Sequence, residues 1–208
     1  VYMESPADNS RLFHDRMQGA DLGLIEGNKG LFDGISTDGS DSNAAMANLL
    51  GAPVVLVIDT RGITRGIAPL LHGYSTFDPE VQIAGVILNQ VGGARHEAKL
   101  SKAVETYTDI PVLDAVGRSS ELVIDVRNLG LMPSNEHEEA QRVISRIARA
   151  VAEGVDLDSL LAAAAKAPAV PAGPAAPPLP LPDVKIGIAK DAAFGFYYAG
   201  DLQALRGA

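Results

Sequence analysis

The sequence contains no cysteine, which excludes disulfides, thiolate metal sites and a cysteine nucleophile within its 208 residues. No apolar run approaches the roughly 18 residues of a membrane span, and no basic-then-apolar leader opens the chain. Cations are scarce as well. Lysine and arginine number 17 against 26 acidic residues, a formal net charge of -9. Neither nucleic acid nor an anionic membrane is an expected partner, because phosphate contacts need clustered cations. The chain runs from Val1, not methionine, to Ala208. Both ends read as arbitrary cuts, and a cytoplasmic location is expected.

What remains is a globular composition, 47% hydrophobic and 21% charged. Its length suits one ordinary core, or one domain and part of another. Four segments read as strands: Asp21–Ile25, Pro53–Asp59, Gln82–Asn89 and Ile110–Val116. The middle two are continuous apolar runs, the pattern of strands buried on both faces of a parallel sheet. Helical segments fall between and after them, over Ser42–Leu50, Thr64–Tyr74, Ala94–Tyr107, Glu136–Glu153 and Leu157–Lys166. Alternation of this kind predicts a doubly wound, mostly parallel α/β fold. Ligands of such folds bind beyond the carboxyl ends of the strands, where Glu26, Asp59 and Asn89 are expected.

Composition changes abruptly after Lys166. Residues 167–183 are nearly all Pro and Ala, a stiff extended linker. A new strand is expected over Val184–Ala189, running on into Phe194–Tyr198, with a helix over Asp201–Arg206. Residues 184–208 are too few for an independent core. Three parts follow: 1–166 as one domain, 167–183 as linker, and 184–208 as the beginning of another domain.

The loop Glu26-Gly27-Asn28-Lys29-Gly30-Leu31-Phe32-Asp33-Gly34 holds the densest chemistry. A carboxylate at a strand end beside glycines can hold Mg²⁺ against nucleotide phosphates, because hard cations take oxygen ligands and glycine lets backbone approach. Asp33 can orient a second metal or a reacting carboxylate. The same pattern also describes a tight loop with solvated acids, and spacing does not choose between the two. Arg61 and Arg65, after Asp59, can hold a polycarboxylate through paired donors, or are ordinary loop cations. Asn89 can read a purine edge or merely close its turn. His96 can meet phosphate or substrate, or be structural. His14, His72 and His137 show no metal-ligand spacing.

Taken together, these segments resemble the cobyrinic acid a,c-diamide synthase family. The resemblance is carried by Leu24-Ile25-Glu26-Gly27 with Gly30-Leu31-Phe32-Asp33-Gly34, then by Leu49 to Asp59. It continues through Phe77-Asp78-Pro79-Glu80-Val81, Ile83 to Gly92 and Arg95-His96, and resumes at Asp191 to Phe194 with Phe196-Tyr197-Tyr198. Nearly the whole chain apart from the linker is covered.

The resemblance implies a dethiobiotin-synthetase-like P-loop NTPase domain, present in part, followed by the start of a class I glutaminase domain. It implies a carbon–nitrogen ligase that uses ATP and Mg²⁺ to activate a carboxylate, as an acyl phosphate, for ammonia released from glutamine. The implied substrate is cobyrinic or hydrogenobyrinic acid, in cobalamin biosynthesis, and a homodimer is admitted. By analogy Glu26 is the metal–nucleotide carboxylate and Asp33 the acid near the reacting group. Asn89 takes the base, Gly27 and Gly30 line the nucleotide loop, and Ser42, Arg61, Arg65, Lys29 and His96 lie towards substrate.

Departures from the family pattern also count. Neither a glycine-rich loop ending in Lys-Ser/Thr nor the glutaminase Cys occurs in the sequence, so no turnover is expected of these 208 residues alone. Asn28-Lys29 replaces an apolar pair, which leaves room for a paralogue that amidates sirohydrochlorin or sirohaem. Two readings of other classes stand beside these. One is a partitioning-ATPase-type nucleotide switch, against which the segment after the linker argues; the other is a structural α/β module.

Overall fold

The computed structural model describes residues 5–123, 137–169, 184–191, 194 and 197–207. Two compact units divide the chain, one of Val1–Ser119 with Val151–Ala175, the other of Ser120–Ala150 with Ala176–Ala208.

In the first unit the apolar runs become three parallel strands, β1 (Val54–Asp59), β2 (Ile83–Val91) and β3 (Val112–Gly117), ordered β1-β2-β3. Parallel neighbours cannot be joined by a tight turn, so helices make the crossovers. These are α3 (Ile67–Phe77), between β1 and β2, and α4 (Ala94–Tyr107), between β2 and β3. Their inner faces and the strands share one core, in which Ile67, Leu71, Val86, Leu88, Leu100 and Val104 are fully buried. Each such side chain stabilises the fold by about 1.5–3 kcal/mol relative to exposure. The parallel α/β sheet expected from the sequence is therefore present.

Helix limits follow local chemistry. α2 (Asn43–Leu50) starts at Ser42, whose Oγ accepts the Ala45 N–H at 3.1 Å, and ends on Gly51 in the left-handed conformation. α4 has the predicted limits, opening after Gly93. α3 begins three residues later than its apolar pattern suggests and extends to Phe77. α6 (Leu157–Ala164) is capped by Asp156, which accepts the Ser159 N–H at 3.0 Å. A first helix, α1 (Pro6–Met17), was not expected. Ser5 accepts the Asp8 N–H at 3.2 Å and Pro6 occupies the first turn, a helix start that reads directly from the residues.

Two predicted strands are absent. Asp21–Ile25 is irregular, with Leu24 89% exposed. A strand exists only through ladder bonds, and β1 pairs with β2 alone among the described residues. The segment instead lies against α1 at Gly23, where an added Cβ would stand 2.7 Å from Met17 Sδ.

In the second unit, Val184–Ala189 is likewise not a strand. Beyond it the chain turns at Asp191, whose carboxylate accepts the Phe194 N–H at 2.9 Å, and Tyr197 donates its hydroxyl to the Ala189 carbonyl. Both bonds are local, and neither belongs to a ladder. α7 (Ala199–Gly207) covers the last predicted helix. α5 (His137–Gly154) covers the earlier one except Glu136, which lies outside the described residues, as do 170–183 of the predicted linker.

Candidate functional site

The loop Glu26–Gly34 is fastened to the start of α2 by one side chain. Asn43 donates its amide to the carbonyls of Asn28 and Gly30, the latter at 3.0 Å. Gly27 faces that amide at van der Waals distance: an added Cβ would stand 3.4 Å from Asn43 Cγ. At Gly30 a Cβ would collide with the Asp33 carboxylate, which folds back over the loop. Lys29, between them, sits at φ 61, a conformation that costs a side-chain-bearing residue about 1 kcal/mol or more. The Ala44 N–H donates to the Leu31 carbonyl at 2.9 Å, and Phe32 packs on Tyr74 and Phe77 of α3.

Farther along, Asp41 accepts the N–H groups of Ile35 and Ser36 at 2.9 and 3.1 Å, which hold its carboxyl below the usual range. Ser42 is buried, its hydroxyl at the head of α2. Glu26, Lys29 and Asp33 remain exposed.

The strand ends bring a second group together. Asp59, the last residue of β1, is the register partner of Asn89 on β2. Arg61 returns its guanidinium to the Asp59 carboxylate, with Nε 2.9 Å from Oδ2 and 3.0 Å from Oδ1, and adds its own backbone N–H at 3.0 Å. The guanidinium first, then that N–H, keep the Asp59 carboxyl below its ordinary value. Thr60, fully buried, donates both its hydroxyl (2.8 Å) and its N–H (2.9 Å) to the Asn89 carbonyl.

Asn89 Oδ1 accepts the N–H of Gln90, which is itself left-handed at φ 61. Arg118 donates Nε to the Gln90 carbonyl at 3.1 Å. His96 lies between the loops after β1 and β2, with one ring nitrogen 3.0 Å from the Gly92 N–H donor and the other 2.6 Å from the Ile63 carbonyl. Arg65 rests over the Tyr107 ring at 5.0 Å.

The structure therefore gathers Gly27, Lys29, Gly30 and Asp33 in one clamped loop, and Asp59, Asn89 and Arg61 at the strand ends. Asn43 and Thr60 hold these two groups without having been legible as site residues. Both act through backbone carbonyls, which no sequence spacing displays.

Among the described residues no cluster of three or more His, Asp or Glu side chains is arranged to hold a metal. Mg²⁺ needs no such cluster, because it keeps several waters and takes one or two carboxylates together with phosphate oxygens. Glu26 and Asp33, exposed on a glycine loop, are carboxylates of that kind.

Comparison with known proteins gives this arrangement a family. The family model described as "AAA domain" matches residues 7–124, more than half of the chain. The chain belongs to the AAA domain family. Membership implies nucleotide binding by the α/β unit. Among curated proteins, this AAA domain chain is 45% identical over 205 residues to a cobyrinate a,c-diamide synthase from Magnetococcus marinus, covering 91% of the chain and 42% of that protein. Proteins of the same name from Methanosarcina acetivorans (42% identical; 90% and 40% covered) and Methanobrevibacter smithii (37%; 93% and 44%) are similar in the same way. The chain thus spans about two-fifths of the length of the curated relatives it matches. No solved structure matches it.

Proposed function

We propose that this chain is part of an ATP- and glutamine-dependent enzyme that amidates the a and c carboxylates of cobyrinic acid. The observation that carries the reading is the similarity, along nine-tenths of the chain, to proteins named cobyrinate a,c-diamide synthase. The fold supports it at the sheet, because Asp59 and Asn89 stand at the carboxyl ends of β1 and β2, where parallel sheets bind ligands.

A carboxylate is a poor electrophile until an oxygen becomes a leaving group, and bound Mg-ATP supplies the phosphoryl group that makes it one. In this reading Glu26 would hold the metal and Asp33 would orient the reacting carboxylate. The Asn43 clamp fixes the loop backbone at Asn28 and Gly30. Asn89 spends Oδ1 on Gln90 and keeps its amide N–H groups for a purine edge. Arg61 fixes Asp59, and Arg65 faces substrate. The chain has no cysteine, so release of ammonia from glutamine by a thiol nucleophile falls to residues outside these 208.

The test is to incubate the full-length protein with cobyrinic acid, Mg-ATP and glutamine and to follow products by mass spectrometry. The a,c-diamide is the expected product. Amidation of sirohydrochlorin with cobyrinic acid left untouched would replace this reading by its paralogue. The departure at Asn28-Lys29 gives that second outcome its interest.

A further inference from the structure

We propose that the groove between the start of α3 and the exposed side of α4 is a binding site for a small polycarboxylate with an apolar framework. Thr64, Arg65, Arg95, Ala98, Lys99 and Lys102 line a cavity of about 480 Å³. Arg95, Lys99 and Lys102 are spaced by four and three residues along α4, so they form one stripe of that helix. Arg65 supplies a fourth cation from the loop after β1 and also borders an adjoining hollow of about 560 Å³ with Ala68, Pro69, His72 and Tyr107.

Three features point to an anion. First, none of the four cations is in an ion pair among the described residues, although Glu97 and Glu105 lie on the same helix. Like charges four residues apart weaken a helix, so this stripe opposes local stability without an internal partner. Second, the chain as a whole carries a formal charge of -9, and four clustered cations are a local reversal, not a general surplus. Third, the groove opens where Arg65 and Arg95 follow β1 and β2, the sheet end that holds Asp59 and Asn89.

The lining also limits the kind of anion. Both hollows are widely open to solvent, so a ligand lies along the surface and is not enclosed. Ala98 in the groove, and Ala68, Pro69 and Tyr107 in the adjoining hollow, offer apolar surface beside the charges. A framework that packs on this surface while its carboxylates reach the surrounding cations uses both properties. This deepens the amidation reading and rests on it for the natural ligand, since a substrate with several carboxylates must be held by those that do not react.

The test uses uroporphyrin, a ring octacarboxylate, titrated into the full-length protein by fluorescence, with mesoporphyrin, a dicarboxylate of similar framework, as control. Binding of uroporphyrin should weaken at least tenfold in K99E/K102E and with added salt, and should exceed that of mesoporphyrin. Circular dichroism checks folding, and K99Q/K102Q replaces the charge-reversed variant if that variant is unfolded. Equal binding by the variants, or by the two porphyrins, would overturn the site, as would a preference for a short oligonucleotide over uroporphyrin. In the full-length protein, K99Q/K102Q should raise KM for the corrin with little change in kcat. An unchanged KM would contradict the groove. Groove binding without amidation of any corrin would instead leave the site standing and remove the proposed function.

Discussion

His96 Nε2 lies 2.6 Å from the backbone carbonyl of Ile63, thirty-three residues earlier in the chain. A carbonyl only accepts, so Nε2 carries the proton and Nδ1 is left to accept the Gly92 N–H at 3.0 Å. The imidazole thus joins the loops after β1 and β2, and acts as a positioning residue. H96A should lower stability by about 1–2 kcal/mol, the net value of two such bonds, read as a reduced urea midpoint. Nitrogen NMR should report the Nε2–H tautomer. An unchanged midpoint, or the opposite tautomer, would contradict the assignment.

Lys29 and Asn43 make a paired prediction. Glycine adopts φ near +60° without strain, so K29G should leave stability unchanged or raise it by up to about 1 kcal/mol. N43A removes the donor shared by Asn28 and Gly30 and should speed amide exchange across residues 26–34 while the core strands stay protected. Identical exchange in parent and N43A would show that the clamp does not hold the loop.

Asp59 provides the pH dependence. Its carboxyl is held below the ordinary value by Arg61, so the folded state favours the ionised form more than the unfolded state does. That contribution is present above the unfolded carboxylate range, near pH 3.9. It is lost as pH falls through the lower folded value. D59N should therefore be less stable than the parent at neutral pH, with the difference closing on acidification. Because the pair is exposed to solvent and salt, added salt should narrow it too. A difference that grows in acid would reverse the sign.

The core can be located by contrast. Leu88 is fully buried and Val57, on the adjacent strand, is 61% exposed. L88A should cost about 2–5 kcal/mol and V57A no more than about 0.5 kcal/mol, both by denaturant unfolding. Similar costs at the two sites would place the buried face elsewhere.

How far the sequence reveals this molecule depends on which force decides each element. β2 and α4 are legible because an unbroken apolar run and an amphipathic helix bounded by Gly92-Gly93 declare themselves locally. Asp21–Ile25 has the same apolar character, yet strand formation needs a neighbour, and no local pattern reports one. α1 is declared only at its start, by Ser5-Pro6 with Asp8, because its residues are mostly polar. The glycine loop was visible as candidate chemistry. The Asn43 clamp, the Thr60 tie and the left-handed Lys29 and Gln90 arise from tertiary contacts with main-chain groups, which leave no periodic trace.

The central claim is that the Glu26 loop serves carboxylate amidation, and E26Q in the full-length protein tests it most directly. The substitution keeps the shape of an exposed side chain and removes its charge. ATP- and glutamine-dependent formation of the cobyrinic acid a,c-diamide should fall by about a hundredfold or more, while glutamine hydrolysis persists. Amidation at the parental rate would contradict the account.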